Sequence, residues 1–366
     1  MTGPCLVLAP EEPPVGGVSR YGRALGRLLG RLPGGVTCLD PRRPFPAPRR
    51  PLAERVAARL FSREAPRVAR AARRRRVALI IDNLDCLWRN PAYARGLRLA
   101  RRRPYFLILH DGAFPGQVRS RDARGRRLLR AALRRTTAIG GMSGRILEAV
   151  ADLVPEIPAF RLSPLLEGPP EAPARLPAEV EAFLGSRSVV LSTSGAAAAL
   201  YGLEDLLAAF PAILAAGFDA GLVVLLGSFT REDRTSEALE AARRTHPGRI
   251  LVLEDAPEGA AIIARSRVYV RPSRVDSFGL ALHEALLAGV PVVAADHPTR
   301  PAGVLRYPAG DAGACGRALL AALRPEVLEA SRRLRPRFAA LLEENRRATL
   351  AAIEWTAGKG RAAEPI

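Results

Sequence analysis

Two acidic residues, Asp276 and Glu284, stand eight positions apart in a stretch where apolar runs flank a short polar loop. Asp276 lies in the loop, and Glu284 falls about a turn and a half into the helix expected after it, because an α-helix has 3.6 residues per turn. Helical side chains lean toward the helix N-terminus, so both carboxylates are expected to face one cleft. Such a pair can hold the hydroxyl groups of a ligand; in an ordinary strand–helix crossover it would only be solvated.

The elements around this pair form a strand–loop–helix–strand unit. The sequence pattern predicts a strand at Val268–Val270, a polar loop at Ser273–Ser277, a helix that begins near Gly279 and ends at Gly289, and a buried strand at Val290–Ala294. Open α/β sheets bind ligands at the carboxyl edge of the strands, where this loop is expected. The first N–H groups of the helix, at Phe278, Gly279 and Leu280, suit a phosphate or a hydroxyl-rich ligand.

This stretch resembles the Glu-x7-Glu signature of family 4 glycosyltransferases, with Asp276 where the first glutamate is usual. Members of that family are two-domain GT-B enzymes that take a sugar from a nucleotide-sugar donor with retention at the anomeric carbon. The resemblance implies that Glu284 holds the ribose of the donor and that the Phe278–Leu280 amides meet its diphosphate and hexose. It also places Ser273 among the donor-binding residues and implies a catalytic role for Asp276 beside the sugar.

The sequence departs from the family pattern at two positions. Family members usually carry an arginine and a lysine that neutralise the donor diphosphate, and the matching residues here are Ala196 and Tyr201. Either another arginine supplies this charge, or the donor site is degraded. The segment His297–Val304 resembles the Arg-Pro-x-Gly-Val variant of a bacterial subgroup of the family. That resemblance favours the first explanation, with Arg300 as the first candidate and Arg274 as the second.

Four further candidates lie at predicted strand ends. His110 follows the strand Tyr105–Leu109, and the resemblance implies a place for it in the sugar pocket, so we predict a catalytic role. Gly16 and Gly17, between the first strand and the first helix, resemble the family's glycines beside the donor phosphate and the acceptor, although such a pair is also an ordinary turn. Gly227 follows a strand of the second half and is a predicted donor contact.

The length of 366 residues and the hydrophobic content of 48% suit two α/β domains with separate cores. With the resemblance, this predicts an α/β fold of the GT-B type, with two facing Rossmann-like domains that contain parallel sheets. The predicted parts are an N-terminal acceptor-binding domain at 1–165, a proline-rich linker at 166–187, a nucleotide-sugar-binding domain at 188–330, and a C-terminal helix and tail at 331–366 that return to the N-terminal domain.

The net charge of +20 is confined to the first half of the chain. Up to Leu165 there are 33 basic and 12 acidic residues, against 23 basic and 24 acidic beyond it. A basic half can bind nucleic acid, anionic lipid or a phosphorylated acceptor. Residues 52–76 combine arginine with apolar residues at helical spacing, which suits either a solvated surface helix or a helix on an anionic membrane. Aromatic residues are only 5% and no base-stacking motif is present, so a nucleic-acid partner is not expected.

Four scattered cysteines without a Cys-x-x-Cys spacing indicate a reducing compartment. The sequence shows no signal peptide and no apolar run of transmembrane length. We therefore expect a cytoplasmic protein, or one that is peripheral on the inner face of the membrane. No Asp-x-Asp motif or other metal-binding spacing is apparent, and we expect neither a metal nor a cofactor.

These residues predict a retaining glycosyltransferase that moves a hexose from a nucleoside diphosphate sugar to a glycan or lipid-linked glycan acceptor in envelope polysaccharide synthesis. The alternative is a non-catalytic nucleotide-sugar-binding subunit with a degraded diphosphate site, which Ala196 and Tyr201 favour. An assay of donor hydrolysis or sugar transfer separates the two.

Overall fold

The computed structural model describes residues 3–9, 17–40, 68, 71–83, 103–166, 175–276 and 279–358, with the backbone alone at residues 17 and 228–230. The chain forms two compact units. The first contains Met1–Glu11, Val18–Leu165 and Glu344–Ile366, and the second contains Glu12–Gly17 and Leu166–Glu343. Several predictions concern residues that lie wholly or partly outside the described ones: Gly16, Phe278, most of the basic stretch 52–76, part of the linker 166–187, Ser277 of the loop Ser273–Ser277, and the end of the tail 331–366.

The first unit contains a parallel six-stranded sheet. In chain order its elements are β1 (Cys5–Leu8), α1 (Gly17–Gly30), β2 (Val36–Leu39), β3 (Leu79–Asp82), β4 (Tyr105–Leu109), α2 (Phe114–Ser120), α3 (Ala123–Leu133), β5 (Ala138–Gly141), α4 (Gly144–Leu153) and β6 (Ala159–Arg161). The strand order is β2-β1-β3-β4-β5-β6. Every residue of β1, β3, β4 and β5 is buried, as expected for parallel strands covered on both faces.

The second unit contains another parallel six-stranded sheet. Its elements are α5 (Ala178–Gly185), β7 (Val189–Ala197), α6 (Leu203–Ala215), β8 (Ala220–Arg231), α7 (Asp233–Thr245), β9 (Ile250–Glu254), α8 (Gly259–Ala264), β10 (Val268–Arg271), α9 (Leu280–Ala288), β11 (Val292–Ala295), β12 (Leu305–Tyr307), α10 (Ala312–Ala322) and α11 (Pro325–Ala357). The strand order is β12-β11-β10-β7-β8-β9. The last part of α11, from Glu344, belongs to the first unit.

Two apolar cores cover the two faces of the second sheet, because successive side chains of a strand point to opposite faces. In β10, Val268 and Val270 belong to the core that contains residues of α6 and α10. Tyr269 belongs to the other core, which contains residues of α8 and α9 and Phe338 of α11. β7 to β11 each contribute residues to both cores, so the loops at their carboxyl ends begin from strands that are fixed from both sides.

The structure confirms the predicted fold class, since both units are Rossmann-like α/β domains with parallel sheets. β4 has the predicted bounds, whereas the short strands β6 and β12 were not predicted. In the part of the chain that the structure describes, no helix is both long enough and apolar enough to cross a bilayer. The same residues contain no cluster of three His, Cys, Asp or Glu side chains that could hold a metal ion.

Candidate functional site

The predicted donor site lies where the strand order of the second sheet reverses. β7 is the first strand of this sheet in the sequence; β8 and β9 extend the sheet on one side, and β10, β11 and β12 extend it on the other. In open α/β sheets, ligands bind in the crevice at the carboxyl ends of the two strands that flank this point. These strands are β7 and β10.

β7 and β10 separate at their carboxyl ends. Their last paired residues are Thr193 and Val270, while β7 continues beside β8 from Ser194 onward. The side chain of Arg271 spans this gap, because its Nη1 donates a hydrogen bond to the Ser194 carbonyl at 2.8 Å. The hydroxyl groups of Ser194 and Tyr269 also form a hydrogen bond of 2.8 Å. Side chains from both strands therefore bridge the crevice.

Asp276, the predicted catalytic acid, is held by two arginines. Nε of Arg271 donates to Oδ2 of Asp276 at 2.9 Å, and Nη1 of Arg300 donates to the same oxygen at 2.8 Å. The Asp276 side chain is 6% exposed, that of Arg271 is 12% exposed, and that of Arg300 is fully buried. Within the described residues, no donor is bonded to Oδ1 of Asp276. That oxygen is the one left for a ligand.

The two arginines decide the charge state of Asp276. Burial by itself would raise the pKa of the Asp276 carboxyl, but Arg271 and Arg300 outweigh it and hold this pKa well below its ordinary value. Burial alone would lower the pKa of Arg271, but the neighbouring charges, chiefly that of Asp276, outweigh burial and raise this pKa above its ordinary value. The carboxylate is ionised and both guanidinium groups are charged, so the three side chains together carry one net positive charge.

The helix α9 begins directly beside this cluster because residue 279 is a glycine. Gly279 is the N-cap of α9 with φ of +71°, a backbone conformation that favours glycine. A Cβ atom there would lie 3.0 Å from Oδ2 of Asp276 and 3.6 Å from Nη1 of Arg300. The positive end of the α9 dipole is thus adjacent to Asp276, where it favours negative charge.

Arg300 was predicted to contact a diphosphate directly, and its burial argues against that role. Its Nε donates to the Ala295 carbonyl at 3.1 Å, its Nη2 donates to the Ser273 carbonyl at 3.1 Å, and its Nη1 is bonded to Asp276. A direct contact would require this fully buried guanidinium to leave its three partners. In the structure, Arg300 instead fixes the loop after β10 to the end of β11.

Arg274 and Ser273 also belong to the loop after β10. Nη2 of Arg274 donates to Asp205 of α6 at 3.0 Å, and the Arg274 side chain is 40% exposed. The backbone N–H of Arg274 donates a hydrogen bond to the Leu200 carbonyl at 2.9 Å. Ser273 is fully buried, and its hydroxyl has no hydrogen-bond partner among the described residues. The donor-binding roles of both residues stay predictions.

Glu284 lies in the second turn of α9 and is half-buried, as is Leu280 in the first turn. Burial raises the pKa of Tyr269, with smaller contributions in the same direction from the charges of Asp276 and Glu284, whereas Arg271 and the Ser194 hydroxyl lower it. Asp276 lies beside Gly279 at the start of α9, the helix that contains Leu280 and Glu284, and the donor-binding roles of these residues stay predictions. Gly227 differs, because β8 continues to Arg231 and leaves Gly227 buried within the strand rather than after it.

Ala196 and Tyr201 occupy the positions where the family resemblance implies an arginine and a lysine. Ala196 is buried in β7, and Tyr201 ends a short 3₁₀ turn, Ala199–Tyr201. The guanidinium carbon of Arg271 lies 5.7 Å from the centre of the Tyr201 ring. Sequence reasoning missed Arg271, since the predicted strand stopped at Val270. A charged residue between an apolar strand and Pro272 was the available signal.

In the first unit, His110 directly follows β4, as predicted. Its Nε2 lies 2.6 Å from Oδ1 of Asn83, and Nδ2 of Asn83 donates to the Val18 carbonyl at 3.0 Å. Because Asn83 uses its amide nitrogen in that bond, its Oδ1 accepts a hydrogen bond from Nε2 of His110. The imidazole ring of His110 packs edge-on against the ring of Tyr21, with the two ring centres 4.8 Å apart. Asn83 belongs to no motif that sequence reasoning could have identified. Gly17, the other described candidate of this region, begins α1.

Residues 187–325 match the family model described as "Glycosyl transferases group 1". This range contains β7 to β12 and thus the whole of the cluster around Asp276. The match identifies these residues as a glycosyltransferase domain, and it confirms that the chain is a glycosyltransferase. No curated protein matches the sequence significantly.

Solved structures with the same architecture cover nearly the whole chain. The HepE protein of Anabaena in complex with UDP-glucose has a TM-score of 0.67 at 15% identity, over 95% of this chain and 99% of that one. Sucrose-phosphate synthase from Thermosynechococcus elongatus has a TM-score of 0.64 at 18% identity, over 98% of this chain and 96% of that one. The α,α-trehalose 6-phosphate synthase from Burkholderia multivorans has a TM-score of 0.66 at 17% identity, over 100% of both chains. These similarities confirm the GT-B fold.

Proposed function

We propose that the protein transfers a hexose from a nucleoside diphosphate sugar to a glycan or lipid-linked glycan acceptor, with retention at the anomeric carbon, in envelope polysaccharide synthesis. The observation that carries the proposal is the ionised Asp276, held by two arginines beside the start of α9 at the β7–β10 crevice. The nucleotide-sugar donor agrees with the UDP-glucose bound to the HepE protein of Anabaena, which has the same fold.

Each element of the crevice has a role in this proposal. Transfer with a departing nucleoside diphosphate develops positive charge on the sugar, and a carboxylate that stays ionised stabilises such charge. Oδ1 of Asp276, which has no bonded donor among the described residues, would face the sugar. Glu284 would hold the ribose hydroxyls, and the N–H groups at the start of α9 would meet the diphosphate. His110 of the first unit and Gly17, the first residue of α1, stay predicted site residues.

A panel of nucleoside diphosphate sugars tests the proposal. A matching donor should raise the melting temperature of the protein, because a ligand that binds only the folded state stabilises it. Incubation of that donor with the protein should release a free or transferred hexose whose first-formed anomer, followed by proton NMR, has the configuration of the donor. Inversion would contradict the retaining mechanism.

The competing function is a non-catalytic nucleotide-sugar-binding subunit, and the observation that favours it is the absence of a cation at positions 196 and 201. This alternative predicts that a donor stabilises the protein without hydrolysis or transfer at any protein concentration. Release of hexose by the parent, lost in Asp276→Asn, would exclude it.

The proposal includes a peripheral position on an anionic membrane, and α3 of the first unit is the described surface that supports it. α3 contains Arg124, Arg126, Arg127 and Arg130 and no acidic residue. All four arginines are exposed, and Leu128, which lies between Arg127 and Arg130 in the sequence, is 45% exposed. Leu129, Ala132 and Leu133 fix the opposite face in the core. Exposed arginines around an apolar side chain suit the headgroup region, where each contributes about 1 kcal/mol.

Co-sedimentation with vesicles tests this surface. Binding should increase with the fraction of anionic phospholipid and decrease with salt, because the attraction is screened. The triple substitution of Arg124, Arg126 and Arg127 by Gln should weaken binding. As a control, the same substitution of the exposed Arg332, Arg333 and Arg337 in α11 removes an equal charge. Equal loss in both variants, or binding that salt does not affect, would contradict α3 as the membrane surface.

A further inference from the structure

Three contacts fix the guanidinium of Arg271 at the mouth of the β7–β10 crevice. Nε donates to Asp276 at 2.9 Å, Nη1 donates to the Ser194 carbonyl at 2.8 Å, and the guanidinium lies over the Tyr201 ring at 5.7 Å. Among the described residues, Nη2 has no hydrogen-bond partner. The side chain is 12% exposed, in contrast to the fully buried Arg300. Arg271 is thus a rigidly placed cation that retains an unused donor.

The Tyr201 ring, over which this guanidinium lies, is itself fixed in position. The ring of Tyr201 lies against the backbone of Gly195, since a Cβ atom at Gly195 would fall 2.6 Å from Cδ1 of Tyr201. Tyr201 follows the end of β7, and Arg271 is the last residue of β10. The stack therefore joins the two strands that flank the crevice, and a guanidinium over an aromatic face gains about 0.5–2 kcal/mol there.

Arg300 and Asp276 hold Arg271 in place from the other side. Asp276 accepts hydrogen bonds from both guanidinium groups on one oxygen, and the fully buried Arg300 is itself fixed by the carbonyls of Ala295 and Ser273. The two guanidinium groups and the single carboxylate leave one positive charge at the start of α9. A helix start supplies only about half a charge by itself, so Arg271 is the larger cationic contribution at this position.

We infer that Arg271, stacked on Tyr201, provides the cation that binds the diphosphate of the donor, and that Arg300 and Asp276 position it. This inference rests on the proposed function. Arg271 thereby replaces the charge missing at Ala196 and Tyr201: the cation comes from the end of β10, and the aromatic ring at position 201 supports it. Guanidinium binds phosphate oxygens through paired N–H donors, and Nη2 is available for this contact.

Titration with nucleoside diphosphates and with the matching nucleosides tests the inference. The probes are UDP, GDP and ADP against uridine, guanosine and adenosine, measured by calorimetry on the full chain. Arg271→Met should weaken the diphosphate that the parent binds by about 10- to 100-fold, the range for a hydrogen bond between charged groups. The affinity for the nucleoside should be unchanged, because the lost contact involves only the diphosphate. The diphosphate affinity of Arg271→Lys should lie between that of the parent and that of Arg271→Met.

Two further variants separate binding from a structural effect. Arg243→Met removes an exposed arginine of α7 whose one ion-pair partner among the described residues is Glu240, and this variant should bind the diphosphate as the parent does. In the Arg271→Met background, Tyr201→Lys places a cation on the other strand of the crevice and should recover part of the lost affinity. If Arg271→Met fails to fold, Arg271→Lys and Tyr201→Ala replace it in the titration. The first keeps the charge but loses the guanidinium, and the second keeps the guanidinium but loses the ring beneath it, so both should weaken diphosphate binding and leave nucleoside binding unchanged.

The outcomes distinguish this inference from the proposed function. Selective loss of diphosphate affinity in Arg271→Met, with recovery by Tyr201→Lys, is the expected result. Equal diphosphate affinity in Arg271→Met and in the parent would overturn the role of Arg271 and leave the proposed function intact. Failure of the parent to bind any of the three diphosphates would overturn the proposed function, and this inference with it.

Discussion

The guanidinium of Arg300 and the carboxylate of Asp276 form a buried ion pair, with Nη1 and Oδ2 at 2.8 Å. The pair joins the segment after β11 to the loop after β10, two loops that leave the same edge of the sheet. Because Asp276 also accepts from Arg271, this pair determines where the accessible guanidinium lies. The stability of the second unit and the geometry of the crevice are therefore linked through one carboxylate.

Arg300→Ala should lower the free energy of unfolding by about 3–5 kcal/mol, because it removes one partner of a buried ion pair and leaves the other charge uncompensated. Denaturant unfolding of the variant and the parent measures this difference. Arg243→Ala, which breaks an exposed pair with Glu240, should cost about 0–1 kcal/mol. Similar costs for the two variants would show that the Arg300 pair is not a stabilising element.

Folding stability should decrease as the pH falls below neutrality because of His283 in α9. This buried side chain donates from Nδ1 to the Gly279 carbonyl, and burial lowers its pKa from 6.5 to about 4. Between these values the unfolded chain binds a proton that the folded chain does not, so the contribution is complete above pH 6.5 and is lost as the pH falls toward 4. The slope is about 1.4 kcal/mol per pH unit.

His283→Gln should flatten this part of the stability profile. Urea unfolding at several pH values between about 7 and 4.5 provides the comparison. If the parent and the variant lose stability in parallel over this range, then His283 does not titrate as its burial requires.

Gly202→Ala should be strongly destabilising, since Gly202 has φ of +62° and a Cβ atom there would lie 2.2 Å from the Pro272 carbonyl oxygen. The positive φ alone costs a non-glycine residue about 1–2 kcal/mol, and the overlap with backbone adds to it. Gly217→Ala is the matched control, because Gly217 has φ of +85° but open space around the Cβ position. Equal melting temperatures for the two variants would contradict the close approach of Gly202 to the loop after β10.

Catalysis should depend on Asn83 through His110. Replacement of a residue that assists proton transfer typically lowers turnover by about 100-fold or more, which is the loss expected for His110→Ala. Asn83→Ala should cause a smaller loss, because the ring remains but its Nε2–H tautomer is no longer fixed by Oδ1 of Asn83. Gln117→Ala, a polar substitution in α2, serves as the control. Parent-like turnover in both His110→Ala and Asn83→Ala would remove His110 from the site.

The sequence predicted the parts of the fold that depend on local pattern. Buried aliphatic runs such as Tyr105–Leu109 give strands with little ambiguity, and Gly289 with Pro291 marks the end of α9. β6 and β12 were missed because each has only three residues, too few for a periodic signal. Asp276 and Glu284 were found because their spacing is local.

Arg271 and Asn83 were not found, because their partners come from distant segments. Ser194 and Tyr201 reach Arg271 only when β7 and β10 become neighbours, and His110 reaches Asn83 only when β4 lies beside β3. The burial of Arg300 has the same origin. Its position after β11 was predicted correctly, but the number of carbonyl groups around it depends on how the loops after β10 and β11 pack.

The affinity of Glu284→Ala for the donor is the most direct test of whether the sugar nucleotide binds at the carboxyl ends of β7 and β10. Calorimetric titration of the sugar nucleotide that stabilises the parent should show a loss of about 1.5–3 kcal/mol in binding free energy, the contribution of a hydrogen bond to a charged group. Glu237→Ala, an exposed position on α7, is the control. We expect this loss in Glu284→Ala alone, with an unchanged free energy of unfolding. Equal donor affinity in Glu284→Ala, Glu237→Ala and the parent would contradict it.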